Sequence, residues 1–124
     1  MEEKIKIIIA DDNKGFCVLL LNFLEKYEDI EILGIANTDE DELKLIETLR
    51  PDIVISDLVR NHRYTGLDII KQYNIKKDGP KFLVISADKQ EDFTNDEVKF
   101  DGFIQKPCAF DEIIVQLRKI SKKN

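Results

Sequence analysis

Pro51-Asp52-Ile53-Val54-Ile55-Ser56-Asp57-Leu58 contains a short apolar run, residues 53–56, that is closed by the carboxylate of Asp57. Three other runs also end on a polar or charged side chain. Asp11 and Asp12 follow Ile7-Ile8-Ile9-Ala10, Ser86 follows Phe82-Leu83-Val84-Ile85, and Lys106 follows Phe103-Ile104-Gln105. Runs of this length alternating with amphipathic stretches read as βα repeats around a parallel sheet covered on both faces. Strands of such a sheet all point the same way, so their C-terminal ends share the edge where open α/β sheets bind ligands. The pattern therefore predicts that three carboxylates, one hydroxyl and one ammonium meet in a small volume. Carboxylates about 4 Å apart repel by roughly 4 kcal/mol per pair at an effective dielectric near 20, so the cluster calls for a cation. Hard oxygen donors suit Mg²⁺, which keeps several waters and takes one or two carboxylates directly.

Working outward, the first helix follows Asn13 as N-cap, with Phe16, Leu19, Leu20, Phe23, Leu24 and Tyr27 at the spacing of one buried face. Ile30 to Ala36 reads as a strand, and Thr38 or Asp39 then caps a helix whose Leu43, Ile46 and Leu49 point inward. Arg50-Pro51 ends that helix. The polar stretch from Leu58 to Thr65 is a loop, and Gly66 to Tyr73 a short third helix. Asp78-Gly79-Pro80 marks a turn before the fourth strand. Residues 87–95 are charged and weakly periodic, with Phe93, Val98 and Phe100 as anchors of a fourth helix. The last helix carries Phe110, Ile113, Ile114, Leu117 and Ile120 on one face. Its end is rich in Lys and Arg, favourable at the negative end of the helix dipole.

The 124 residues suit one domain, 1–124, and 43% hydrophobic content supplies a core. A net charge of −6, from 19 basic and 25 acidic residues, disfavours direct binding to nucleic acid or anionic lipid. No stretch reaches the roughly 18 apolar residues of a spanning helix, and Met1-Glu2-Glu3-Lys4 lacks the start of a secretory signal, so the expected location is the cytoplasm. Cys17 and Cys108 form no C-x-x-C pattern and are expected as free thiols. The first βα turn, Asp11-Asp12-Asn13-Lys14-Gly15, lacks dinucleotide-binding glycines and would present carboxylates to a pyrophosphate. A phosphatase with an aspartyl-phosphate intermediate would want a second aspartate two positions after Asp57, where Val59 stands.

The segments at 7–12, 51–58, Gly66-Leu67-Asp68, Val84-Ile85-Ser86-Ala87 and 103–107, in this order, resemble the receiver domain of bacterial two-component response regulators. The resemblance covers nearly the whole chain. It implies a flavodoxin-like, doubly wound sheet of five parallel strands in the order 2-1-3-4-5, free-standing or as the N-terminal part of a longer regulator. It implies Asp57 as phosphoacceptor from a sensor histidine kinase or a histidine phosphotransfer protein, in a signalling domain and not a conventional enzyme. Mg²⁺ would be held by Asp12, Asp57 and the backbone carbonyl of Val59, with Asp11 direct or through water. Lys106, before a cis-linked Pro107, would pair with the phosphoryl oxygens, and Ser86 would hydrogen bond to them. Ser86 and Phe103 would form the switch, changing a face made by the fourth helix, fifth strand and fifth helix that an output domain, an effector or a second copy reads.

This chain also departs from the family pattern. The usual Met-Pro pair after the acceptor is replaced by Val59-Arg60-Asn61-His62-Arg63-Tyr64-Thr65, one residue longer. Val59 offers no side-chain hydrogen bond to an attacking water, which predicts slow hydrolysis of the acyl phosphate. His62 is expected to be a solvated loop side chain, and so are Arg60 and Arg63, with steering of an acidic or phosphorylated partner as the alternative for the two arginines. The unusual loop also leaves room for a pseudo-receiver, an interaction or dimerisation module that is never phosphorylated.

Overall fold

The computed structural model describes residues 3–76, 78–93 and 98–122. Strands β1 (Ile5–Ala10), β2 (Ile30–Ala36), β3 (Ile53–Ser56), β4 (Lys81–Ser86) and β5 (Gly102–Gln105) form one sheet. Every pairing is parallel, as the sequence pattern predicts, and the order is β2-β1-β3-β4-β5, as the resemblance implies. Helices α1 (Lys14–Leu24), α2 (Asp39–Leu49), α3 (Thr65–Lys76) and α4 (Phe110–Lys122) cover it. Alternate strand residues feed two cores. Ile7, Ile9, Ile55, Leu83 and Ile85 pack under Cys17, Leu20 and Leu24 of α1 and Ile113, Leu117 and Ile120 of α4. On the opposite face Ile8, Val54, Phe82 and Val84 pack against Ile46 of α2 and Leu67, Ile70 and Tyr73 of α3.

The caps follow from side-chain chemistry. Asn13 Oδ1 accepts the Phe16 N–H at 3.0 Å, and Thr38 Oγ1 accepts the Asp41 N–H at 3.1 Å. Each satisfies one of the orphan donors of a first turn. Arg50 closes α2 in the left-handed region, at φ 49°, before Pro51.

Several boundaries depart from expectation. Helix α1 stops at Leu24, so Tyr27 lies beyond it and packs edge-on against Phe23, ring centres 5.4 Å apart. Helix α3 continues past Tyr73 to Lys76. Leu49 is exposed, and the inward face of α2 instead carries the fully buried Glu42. The fourth helix expected over 87–95 is, within the described residues, one 3-10 turn at Gln90–Phe93; residues 94 and 95 lie outside them. Its anchors Phe93 and Val98 are buried nonetheless. The last helix of the sequence reading is therefore α4.

Candidate phosphoacceptor site

The order in which strands are added reverses at β1, with β2 laid on one side of it and β3 on the other, although all strands run parallel. Ligand sites of doubly wound folds lie outside the strand ends at such a point. Here Ala10 pairs with Ser56 as the last rung of the β1–β3 ladder, so Asp11 and Asp12 leave one strand beside Asp57 leaving the other. Oxygen atoms of these three carboxylates all lie within 4.8 Å of one another, the sole such cluster among the described residues. Lys106 enters from the end of β5, its Nζ 3.1 Å from Asp11 Oδ2 and 3.6 Å from Asp57 Oδ2. The same ammonium lies 4.6 Å above the ring of Phe16. The Lys106–Pro107 peptide bond is cis, as the resemblance implies.

Backbone donors hold the acids. Asp11 Oδ1 accepts the Asn13 N–H at 2.9 Å, Asp12 Oδ2 accepts the Asn61 N–H at 3.2 Å, and Asp57 Oδ1 accepts the Val59 N–H at 3.4 Å. Asn37 Nδ2 donates to the Asp11 carbonyl at 2.9 Å. Burial raises the pKa of Asp57; Lys106 opposes that rise and Asp11 adds to it. Burial alone would depress Lys106, but the charges of Asp11 and Asp57 hold it above the ordinary lysine value. Gly66 backs Asp57: a Cβ there would come within 2.1 Å of the Asp57 carbonyl oxygen.

Asp57, Val59, His62, Tyr64, Ser86, Asp88 and Lys106 line one cleft. Ser86 is fully buried, and its Oγ accepts the Asp88 N–H at 3.1 Å. Tyr64 donates its hydroxyl to Asp88 Oδ2 at 3.2 Å, so the loops after β3 and β4 are joined. Phe103, on β5, is half-buried among Phe93 and Phe100, with ring centres 6.5 and 5.7 Å away. His62 and Arg63 are exposed, as expected of loop side chains. Cys17 and Cys108 are free thiols.

Arg60 corrects the sequence reading. It is 5% exposed, and its guanidinium ion-pairs with the fully buried Glu42 and, at 2.8 Å, with Asp39. Two signals foreshadowed this: Glu42 sits one turn before Ile46 on the inward face of α2, and the loop after Asp57 has an extra residue. Neither identifies the partner, because a loop side chain carries no periodicity.

A sheet edge that gathers two further acids and one lysine around a strand-end aspartate defines a doubly wound α/β domain with an acidic strand-end site. The family model for the response regulator receiver domain matches residues 7–118, and the chain belongs to that family. Among solved structures it resembles the signal receiver domain of the NarL regulator from Mycobacterium tuberculosis, at 20% identity and a TM-score of 0.85, over 98% of this chain and 100% of that one. The receiver domain of the Francisella response regulator 1452 matches at 23% identity and TM-score 0.82, over 94% and 96% of the two chains. A LuxR-family DNA-binding response regulator from Staphylococcus aureus matches at 24% and 0.80, over 94% and 98%.

Proposed function

We propose that this receiver domain accepts a phosphoryl group on Asp57 from a phosphohistidine of a cytoplasmic sensor kinase or phosphotransfer protein. The observation that carries the reading is Lys106, whose ammonium bridges Asp11 and Asp57 beside the three converging carboxylates. An Asp57 oxygen forms a bond to phosphorus as the P–N bond breaks, and the imidazole leaves with that electron pair. The donor set is all oxygen and strongly anionic, which fits Mg²⁺. Asp12, Asp57 and the Val59 carbonyl would hold the ion, with Asp11 direct or through water; when bound, it offsets charge on the transferring group. Lys106 turns from its carboxylate partners toward the phosphoryl oxygens as a point charge.

Ser86 gives the reading its output. Its hydroxyl now accepts from Asp88; donating to a phosphoryl oxygen reorients it and loosens the Asp88 loop. The Phe93, Phe100 and Phe103 cluster lies beside that loop, so the surface formed by the 3-10 turn, β5 and α4 changes for an effector, an output domain or a second copy. The domain acts as a signalling switch and does not turn over a separate substrate.

Incubation with acetyl phosphate and Mg²⁺ tests this. Wild type gains one phosphoryl group by intact mass, and neither Asp57→Asn nor wild type in EDTA does. A wild type that stays unlabelled under conditions that label an ordinary receiver is instead a pseudo-receiver, and the proposal fails.

A further inference from the structure

The extra residue after the acceptor builds a small hairpin. Arg60 and Arg63 exchange both backbone hydrogen bonds, at 2.8 and 3.0 Å, and between them Asn61 and His62 take left-handed φ values of 51° and 64°. Two successive left-handed residues are the signature of a type I′ turn, and asparagine and histidine tolerate that region better than most side chains. The turn has two consequences. It aims the Asn61 N–H at Asp12, and it sends the Arg60 side chain inward under the acidic cluster.

There a single guanidinium meets both strands that carry the acids. Arg60 Nη2 donates to Ser56 Oγ at 3.1 Å, to the Asp57 carbonyl at 3.0 Å and to the Ala10 carbonyl at 3.4 Å. Ala10 and Ser56 immediately precede Asp11 and Asp57. Nη1 is meanwhile anchored on Asp39 and Glu42 of α2. Because Glu42 and Asp39 already neutralise it, Arg60 is no free cation for an incoming phosphoryl group. Its planar fork suits a different task, holding several acceptors in one fixed arrangement.

We infer that Arg60, seated on Glu42, is a positioning residue that sets the spacing between the β1 and β3 carboxylates and so the affinity of the acidic nest for Mg²⁺. The inference rests on the phosphoacceptor reading and extends it to residues that touch neither metal nor phosphoryl group. Partners one shell out from metal ligands typically change affinity by about 10- to 100-fold when removed.

The test is a Mg²⁺ titration followed by amide chemical shifts in the absence of any phosphodonor, with thermal unfolding measured in parallel. Arg60→Met alone strands a buried carboxylate and risks unfolding. The double variant Glu42→Met, Arg60→Met removes the pair together, a change that proteins often tolerate, and leaves the local net charge unaltered. Any loss of affinity then reports geometry and not lost charge. The expected result is a cooperatively folded double variant whose dissociation constant for Mg²⁺ rises about tenfold or more. Arg60→Lys, which keeps charge opposite Glu42 but cannot fork, is expected between the two, and it decides the matter should the double variant not fold. Wild-type affinity in the folded double variant, or in Arg60→Lys if that is the one that folds, overturns the inference while leaving the phosphoacceptor reading intact. A wild type that binds no Mg²⁺ overturns both.

Discussion

Replacing Asp12 by asparagine should make the metal-free domain more stable, because the acids are arranged for an ion and repel one another without it. Two unit charges 4.8 Å apart, the outer limit of the cluster, repel by about 3.5 kcal/mol at an effective dielectric of 20 and about 0.9 kcal/mol in bulk water. Water reaches Asp12, so the lower figure governs each of its repulsions, with Asp11 and with Asp57. Attraction to Lys106 cancels about one of the two, and the carboxylate also gains roughly 0.5 kcal/mol from the N-terminal end of α1. Asparagine keeps an oxygen for the Asn61 N–H, so that bond is not lost. The balance is a gain of roughly 0.5 kcal/mol, which for a domain of this size raises the melting temperature by about 2 °C in EDTA. Magnesium reverses the ranking. At ten times its dissociation constant, Mg²⁺ stabilises wild type by about 1.4 kcal/mol, or about 6 °C, and should barely shift the variant. Differential scanning fluorimetry with and without MgCl₂ reads both effects. A variant that melts below wild type in EDTA, or that gains as much from Mg²⁺, refutes the reasoning.

Val59→Asn should shorten the lifetime of the phosphorylated domain, since an amide beside the acceptor can hydrogen bond to attacking water; an unchanged phosphate-release time course would count against it. Gly66→Ala forces a Cβ onto the Asp57 carbonyl, so backbone must move, and a loss of about 1–3 kcal/mol in urea unfolding is expected. Asp57 has a raised pKa, so on acidification it takes up its proton before an ordinary exposed carboxylate does. In EDTA the Asp57 carboxyl resonance should therefore titrate at a higher pH than that of an unburied acid, and Lys106→Met, which removes the opposing charge, should move the midpoint higher still. The same sign means that ionised Asp57 costs the fold stability above its pKa, and this cost is relieved as pH falls through it.

Most of the architecture was legible because strand and cap chemistry are local. Runs such as Ile7-Ile8-Ile9 and Val54-Ile55 are too uniformly apolar for anything but a strand buried on both faces, and Asn13 and Thr38 cap where their side chains dictate. Strand ends then placed Asp11, Asp12, Asp57 and Lys106 together without knowledge of a single contact. The errors lie where a residue answers to a distant partner. Leu49 fits the period of α2, yet that helix ends beside solvent and buries Glu42, whose place inside makes sense only with Arg60 opposite. Residues 87–93 have no strong period, and the expected helix is there a 3-10 turn held by Phe93.

Formal charge explains why the proposed reaction needs both Lys106 and a divalent ion. The three acids and Lys106 together carry two negative charges, which one Mg²⁺ cancels, and only then does an anionic phosphoryl donor meet a neutral pocket. Lys106 alone could not do this, being already shared between Asp11 and Asp57. Arg60 could not help, because Glu42 and Asp39 consume its charge below the nest. On the proposed reading, Asp11, Asp12 and Asp57 would therefore hold the metal before the donor arrives. Once Asp57 carries the phosphoryl group, the pocket turns net negative again and draws the Lys106 ammonium and the Ser86 hydroxyl toward the new oxygens. On the proposed reading, the movement that signals phosphorylation would thus follow from the same charge imbalance that calls for magnesium.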